Sequence, residues 1–217
     1  MNLPNDAYNE FLISAKIKKA AEKFGLIGQK KRSTNRLPPG QYLTDGFPVL
    51  DLGVRPHLDF QDFTLTIDGE VENPVILKQA SLLALPSVEV TKDFHCVTRW
   101  SRYDLTWKGV SFLEIAKLVK PKPSARFVVF SSRDDYTTNL PIEECLKEDV
   151  LVAYELEGET IPTLHGGPVR MLVPHLYGWK SAKFLNKITF LKHDEPGFWE
   201  VRGYNNHGDP WLEERYS

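Results

Sequence analysis

The stretch SVEVTKDFHCV, residues 87–97, reads as a β-strand that runs directly into a cysteine. Just before it, LKQASLLALP (77–86) has the pattern of a short helix, and FTLTIDGEV (63–71) alternates like a strand and ends in an Asp-Gly turn. After it, SFLEIAKLVKP (111–121) is a helix opened by a serine cap with glutamate three positions on. ARFVVFSS (125–132) and DVLVAYEL (149–156) are buried strands, IEECLKEDV (142–150) begins as a helix, and VRMLVP (169–174) and KITFLK (187–192) are further strands. Helices and strands thus alternate irregularly, with hairpin signals and no repeating strand–helix–strand unit. That order predicts an α+β fold with mixed β-sheets and short helices.

The chain has 217 residues, enough for one domain with a sizeable core. A formal charge of -2, with 41% hydrophobic and 26% charged residues, gives no argument for nucleic acid binding. The opening MNLPNDAYNEFLISAKIKKAAEKFG has no long apolar run, so neither a secretory signal nor a transmembrane segment is expected there. Two cysteines, Cys96 and Cys145, form neither a zinc spacing nor a disulfide framework, which suits a reducing, cytoplasmic setting.

Residues 1–35 form an expected N-terminal basic helical extension, and 36–217 the main domain. Phe11, Leu12, Ala15, Ala20 and Phe24 recur at helical intervals among Lys16, Lys18, Lys19 and Lys23. Such a helix either packs on its own domain with a solvated face or lies against a membrane surface or partner. RLPPGQYLTDGFPVLDLGVRP (36–56) is expected to be ordered but mostly irregular.

Cys96 is the first candidate for chemistry. It sits at a strand end beside His95, Arg99 and Arg102, cations that favour a thiolate. The local residues do not separate a reactive thiol from a buried small hydrophobe. The second candidate is HGGPVRMLVPHLYGWKSAKFL (165–185), where His165, Arg170, His175, Lys180 and Lys183 crowd around Gly166, Gly167 and Gly178. Cations beside small residues suit an anionic group, although loop cations often serve only solubility. Tyr154 lies on an apolar strand, where most tyrosines are core aromatics. The aromatic, glycine-rich end HDEPGFWEVRGYNNHGDPWLEERY (193–216) is expected to wrap over the domain. No P-loop, G-x-S-x-G elbow, His-Glu-x-x-His motif or dinucleotide fingerprint competes.

Taken in order, RLPPGQ (36–41), HCVTRWSRYDLTWKGV (95–110), DVLVAYELEGE (149–159), HGGPVRMLVPHLYGWKSAKFL (165–185) and PGFWEVRGYNNHGDPWLEERY (196–216) resemble the sulfite oxidase family of molybdopterin enzymes. The resemblance is to its small prokaryotic members, which hold little beyond the molybdenum domain. It implies the sulfite-oxidase molybdopterin-domain fold and the molybdenum cofactor, Mo-molybdopterin. By the resemblance, Cys96 ligates the metal together with the dithiolene sulfurs, as a deprotonated soft ligand. His165 and Arg170 match the residues that hold the pterin and its phosphate. Lys183, with Ser181 and Ala182, matches the stretch at the phosphate end, with Lys180 as an addition. Ser132 matches a cofactor-contacting threonine, and Tyr154 an active-site tyrosine. The early cofactor segment falls on Leu50, Asp51 and Leu52, and is replaced here; Asp51 is the candidate from it, with Arg55 and His57 nearby.

The immunoglobulin-like and haem domains of larger members have no counterpart in this sequence. Part of the family's substrate arginine set is therefore missing, and Arg99 or Arg102 is the expected substitute. The implied activity is oxygen-atom transfer to or from a small-molecule substrate, a sulfite-like oxyanion or a sulfoxide. Electrons then pass to or from a separate electron carrier, a haem protein or another redox partner. The alternative is a non-catalytic cofactor-binding or protein-interaction module.

Overall fold

The computed structural model describes residues 36–53 and 55–217; the expected N-terminal helix lies outside the described residues. The predicted α+β order is borne out as two mixed sheets with short helices. The first sheet contains β1 (Tyr42–Leu43), β4 (Ser87–His95), β5 (Trp100–Ser111), β8 (Leu151–Leu156), β9 (Glu159–Thr160) and β10 (Arg170–Leu172). The second runs in the order β3 (Val75–Lys78), β2 (Thr64–Gly69), β11 (Leu185–Leu191), β6 (Phe127–Ser132), β7 (Thr137–Pro141). Most neighbours are antiparallel, but β11 pairs with β2 in parallel, and so does β1 with β5.

Among the described residues, three α-helices connect these strands: α1 (Gln79–Leu83), α2 (Phe112–Val119) and α3 (Ile142–Cys145). Helix α2 begins as its sequence requires. The Ser111 hydroxyl accepts from the Leu113 amide at 3.2 Å, and Glu114 sits in the first turn, where the helix dipole favours an acid. Its buried face is Phe112, Ile115, Ala116 and Val119, at the i, i+3, i+4, i+7 spacing of an amphipathic helix. It ends at Lys120 in a left-handed conformation, with φ 51. Strand β5 is the longest element among the described residues and was not evident beforehand. RYDLTWKG mixes charged and aromatic residues because only part of this strand is covered, its burial alternating along the sequence.

The first sheet separates two apolar clusters. Between the sheets lie Leu65, Ile67, Val128, Phe130, Ile188 and Phe190 from the second sheet, with Val110, Val152 and Met171 from the first and Phe112, Ile115 and Val119 of α2. On the other face, Leu151, Ala153 and Leu172 meet Phe94, Cys96, Trp100, Trp107, Tyr177, Trp179 and Tyr204. Strand alternation decides which residue serves which cluster. In β10 it sends Met171 between the sheets and Leu172 to the other side, together with Arg170, whose guanidinium stacks on Phe94 and Trp107 of the second cluster. Both β4 and β10 thereby deliver chemistry-bearing residues to the second, aromatic cluster. The segment from residue 193 onward crosses that side with little regular structure, as its composition predicts.

Candidate active site

A cavity of about 400 Å³ opens against the aromatic cluster. Its wall includes Cys96, Arg99, Asp51, His165, Arg170, Ser181 and Lys183, so the fold gathers these predicted residues from three separate stretches of sequence.

Cys96 directly follows β4 and opens a tight turn. Its amide donates to the Trp100 carbonyl at 2.9 Å, and its carbonyl accepts from the Arg99 amide at 3.0 Å. Gln41 binds the same carbonyl through its side-chain amide at 3.0 Å. Arg99 adopts φ 77, a left-handed conformation that costs a non-glycine residue energy and persists only where the surroundings enforce it. The Sγ lies 3.2 Å from the Thr98 hydroxyl, and burial pushes the thiol upward despite Thr98, Arg215 and Lys183. His95 adds no positive charge, contrary to the sequence expectation. It is buried against Ser101 at 2.8 Å, and desolvation pushes it down to about 4. Arg102 does not line the cavity.

At another part of the wall stands Arg170, 1% exposed. Its guanidinium donates to the carbonyls of Met171 (3.3 Å), His165 (2.6 Å) and Ser181 (3.0 Å), all neutral acceptors. It forms no ion pair with a described carboxylate closer than 4.0 Å, and desolvation pushes it down to about 9. Lys183 donates to the carbonyls of Leu50 at 2.8 Å and Leu164 at 3.2 Å, and burial and Arg170 push it down to about 8. His165 stacks on Phe47 with ring centroids 4.5 Å apart, and burial, Arg170 and Lys183 lower its proton affinity. The Ser181 hydroxyl accepts from the Val173 amide at 2.9 Å. Asp51 accepts from Gly53 N and Arg55 Nε. The two glycines after His165 have a steric reason. A Cβ on Gly166 would run into the Lys183 side chain, and one on Gly167 into the Ile161 carbonyl.

Four predicted residues lie elsewhere. Tyr154 falls where the β5–β8 register skips a residue, Lys108 pairing with Glu155 and Gly109 with Ala153. Strand alternation keeps Tyr154 on the Val152 side, between the sheets, with Phe60 at 6.2 Å, so it belongs to the core and not to the cavity. Lys180 is fully buried and held by Glu200, Asn139 and Asn206, which leaves no proton for an external ligand. Ala182 packs in the inter-sheet core, and its carbonyl accepts from Met171 N. Ser132 is buried at the start of the β6–β7 turn and does not line the cavity.

The cavity also contains residues that sequence reasoning passed over. Asp134, on that same turn, lines it, and burial pushes its carboxyl up to about 6. Tyr42, Phe47, Phe94, Trp100, Tyr136, Trp179, Trp199 and Tyr204 make the remaining wall largely aromatic. Arg215, from the last turn of the chain, reaches under the Cys96 turn and donates to the Val97 carbonyl at 2.7 Å. The RDDY turn itself signalled a loop; nothing in it signalled that the acid would face inward.

Residues 52–199 match the family described as oxidoreductase molybdopterin binding domain. An uncharacterized oxidoreductase of Bacillus subtilis (strain 168), YuiH, is 42% identical over 195 residues, covering 89% of this chain and 98% of the relative. A protein-methionine-sulfoxide reductase catalytic subunit, MsrP, of Burkholderia mallei is 30% identical, covering 71% of this chain and 50% of the relative. This chain therefore spans about half the length of that subunit. Among solved structures, the sulfane dehydrogenase SoxCD from Paracoccus pantotrophus shares the fold, with a TM-score of 0.63 at 19% identity over 71% of this chain and 44% of that one.

Proposed function

The chain belongs to the oxidoreductase molybdopterin-binding family, and on that premise we propose that it transfers an oxygen atom to or from a small sulfur substrate in the cavity beside Cys96. The observation that carries this reading is one cavity holding both a buried thiol and a fully buried guanidinium bonded only to neutral carbonyls. Desolvating a cation without a counter-charge is costly, and an anionic ligand removes that cost. The residues present therefore fit Mo-molybdopterin. Arg170, Lys183, His165 and Ser181 form the donor set for its phosphate and pterin, and Cys96 offers a soft donor for the metal. Gly166 lets the Lys183 side chain pack directly on the backbone after His165, which holds these donors close together.

When bound, the cofactor supplies the two-electron chemistry of oxygen-atom transfer. The chain's own residues bind, orient and screen. Cys96 gives up its proton on ligation, since a metal-bound thiol is deprotonated. Arg99, held in its left-handed turn beside Cys96, faces the substrate oxygen as a charge-assisted donor. The aromatic wall excludes water and makes favourable contacts with sulfur. A sulfoxide is the first substrate to test, because relatives carry that activity in their names and the wall suits a neutral sulfur group better than a cluster of cations would. Its reduction to a thioether consumes two electrons and two protons and releases water. We assign the electrons to a separate carrier, since the sequence carries no haem, flavin or iron–sulfur motif. No helix among the described residues is long and apolar enough to cross a membrane. Two free thiols support a cytoplasmic setting, which cell fractionation checks.

The test is expression in a host that makes the cofactor, followed by molybdenum analysis, pterin fluorescence, and turnover of methionine sulfoxide and sulfite. Bound molybdenum with sulfoxide turnover is expected. A chain that carries no molybdenum, or turns over equally well with Cys96→Ala, contradicts the reading.

A further inference from the structure

Behind the aromatic wall lies a buried charge pair. Lys180 and Glu200 face each other at 2.6 Å, their side chains 0% and 1% exposed. The Lys180 ammonium also donates to the carbonyls of Asn139 at 2.9 Å and Asn206 at 2.7 Å, so it ties β7 to two parts of the C-terminal segment. Asn139 and Asn206 are joined to each other at 2.8 Å, and both donate to Asp194. Glu200 turns this network toward the cavity. Its Oε1 accepts from the Trp179 indole N–H at 2.9 Å and from the Thr138 hydroxyl at 2.9 Å.

Trp179 is a wall residue of the cavity. Tyr177 stacks on one side of it at 5.3 Å, and the edge of Tyr204 meets it at 5.1 Å. Its own carbonyl accepts from the Tyr136 hydroxyl at 2.6 Å. Stacking limits the tilt of the ring, Gly208 packs at its benzo edge, and the bond to Glu200 fixes the direction of its N–H. A buried ion pair adds little net stability over an apolar replacement of the same shape, so its retention needs another account. Direction is what it provides: a carboxylate oxygen anchored by Lys180 and Thr138 accepts from the Trp179 N–H at a fixed place.

We propose that Glu200, balanced by Lys180, is a positioning residue that holds the Trp179 indole in the cavity wall, and that the wall so held sets how tightly the substrate binds. The inference rests on the reading that substrate reacts in this cavity.

The experiment uses molybdenum-loaded enzyme with methionine sulfoxide as the probe, comparing wild type, Glu200→Gln, Trp179→Phe and the double variant. Each single variant should raise KM about five- to tenfold, the worth of one buried hydrogen bond, with kcat within about twofold. The double variant should be no worse than either single one, because both act on the same Glu200–Trp179 contact, one by unanchoring the acceptor and one by removing the donor. A lowered melting temperature with unchanged KM in Glu200→Gln would assign the pair a merely structural role and overturn the proposal. Trp179→Phe, which keeps the ion pair intact, decides the matter alone if Glu200→Gln fails to fold: a wild-type KM overturns the proposal. If loaded wild type turns over neither sulfoxide nor sulfite, the functional reading falls separately, and near-ultraviolet circular dichroism still reads the positioning claim. Glu200→Gln should then lose the indole band that Trp179→Phe removes, with an unchanged far-ultraviolet spectrum; a retained band overturns it.

Discussion

Arg170 carries more of the account than any other side chain. It is buried, stacked on Phe94 and Trp107 at 5.6 and 5.4 Å, and bonded only to carbonyls. Replacement by methionine should cut molybdenum–pterin retention by at least about tenfold, the scale of a lost charge-assisted bond, while folding persists, since the apolar stem still fills the space. Equal cofactor content in both proteins would argue against the assignment. Lys183 gives a pH-dependent consequence. Its folded proton affinity is pushed down to about 8 from an ordinary 10.5, so above pH 8 the unfolded chain holds a proton that the folded chain has released. Stability gained from this site therefore rises with pH between those values and is flat below them. In cofactor-free protein, urea midpoints of wild type should gain on those of Lys183→Met between pH 8 and pH 10.5. Parallel curves would contradict the burial argument.

Elements decide which of the sequence-level candidates reach the site. The strands, the capped helix α2 and the irregular C-terminal segment were legible, because each has a local cause: alternation, a serine cap, or a lack of pattern. Two misplacements have separate causes. Tyr154 shares its face with Val152 by plain strand alternation, and nothing in the motif shows that this face lies between the sheets. Tyr154→Phe should accordingly leave KM and kcat within about twofold of wild type, as expected of a change outside the reacting groups. A loss of activity beyond tenfold in steady-state assays would return Tyr154 to the site. Lys180 looked like one more phosphate-binding cation, yet it is neutralised by Glu200, which lies 20 positions onward in sequence and was read only as part of a wrapping tail. Asp134 was missed for the opposite reason: turn acids normally face water, and only the packing of the β6–β7 turn against the cavity turns it inward.

Across the whole molecule, the site is built where early and late parts of the chain meet around the first sheet. Residues 41–52 supply Gln41, Phe47 and Asp51, the middle supplies Cys96 and Arg99, and the last turn supplies Arg215 beneath them. The order of these blocks was what made the family legible, while their spatial closure depends on contacts such as Arg215 to Val97 and Pro39, 118 and 176 positions apart. Arg215→Ala should loosen the Cys96 turn and lower stability by about 1–3 kcal/mol, as expected for a buried carbonyl left without its charged donor; denaturant midpoints check this.

The central claim is that this cavity binds molybdenum through Cys96. X-ray absorption at the molybdenum edge tests it most directly, on wild type and Cys96→Ser purified with cofactor. The account predicts that the variant retains pterin but shows one sulfur ligand fewer at the metal. An unchanged sulfur shell in Cys96→Ser would contradict it.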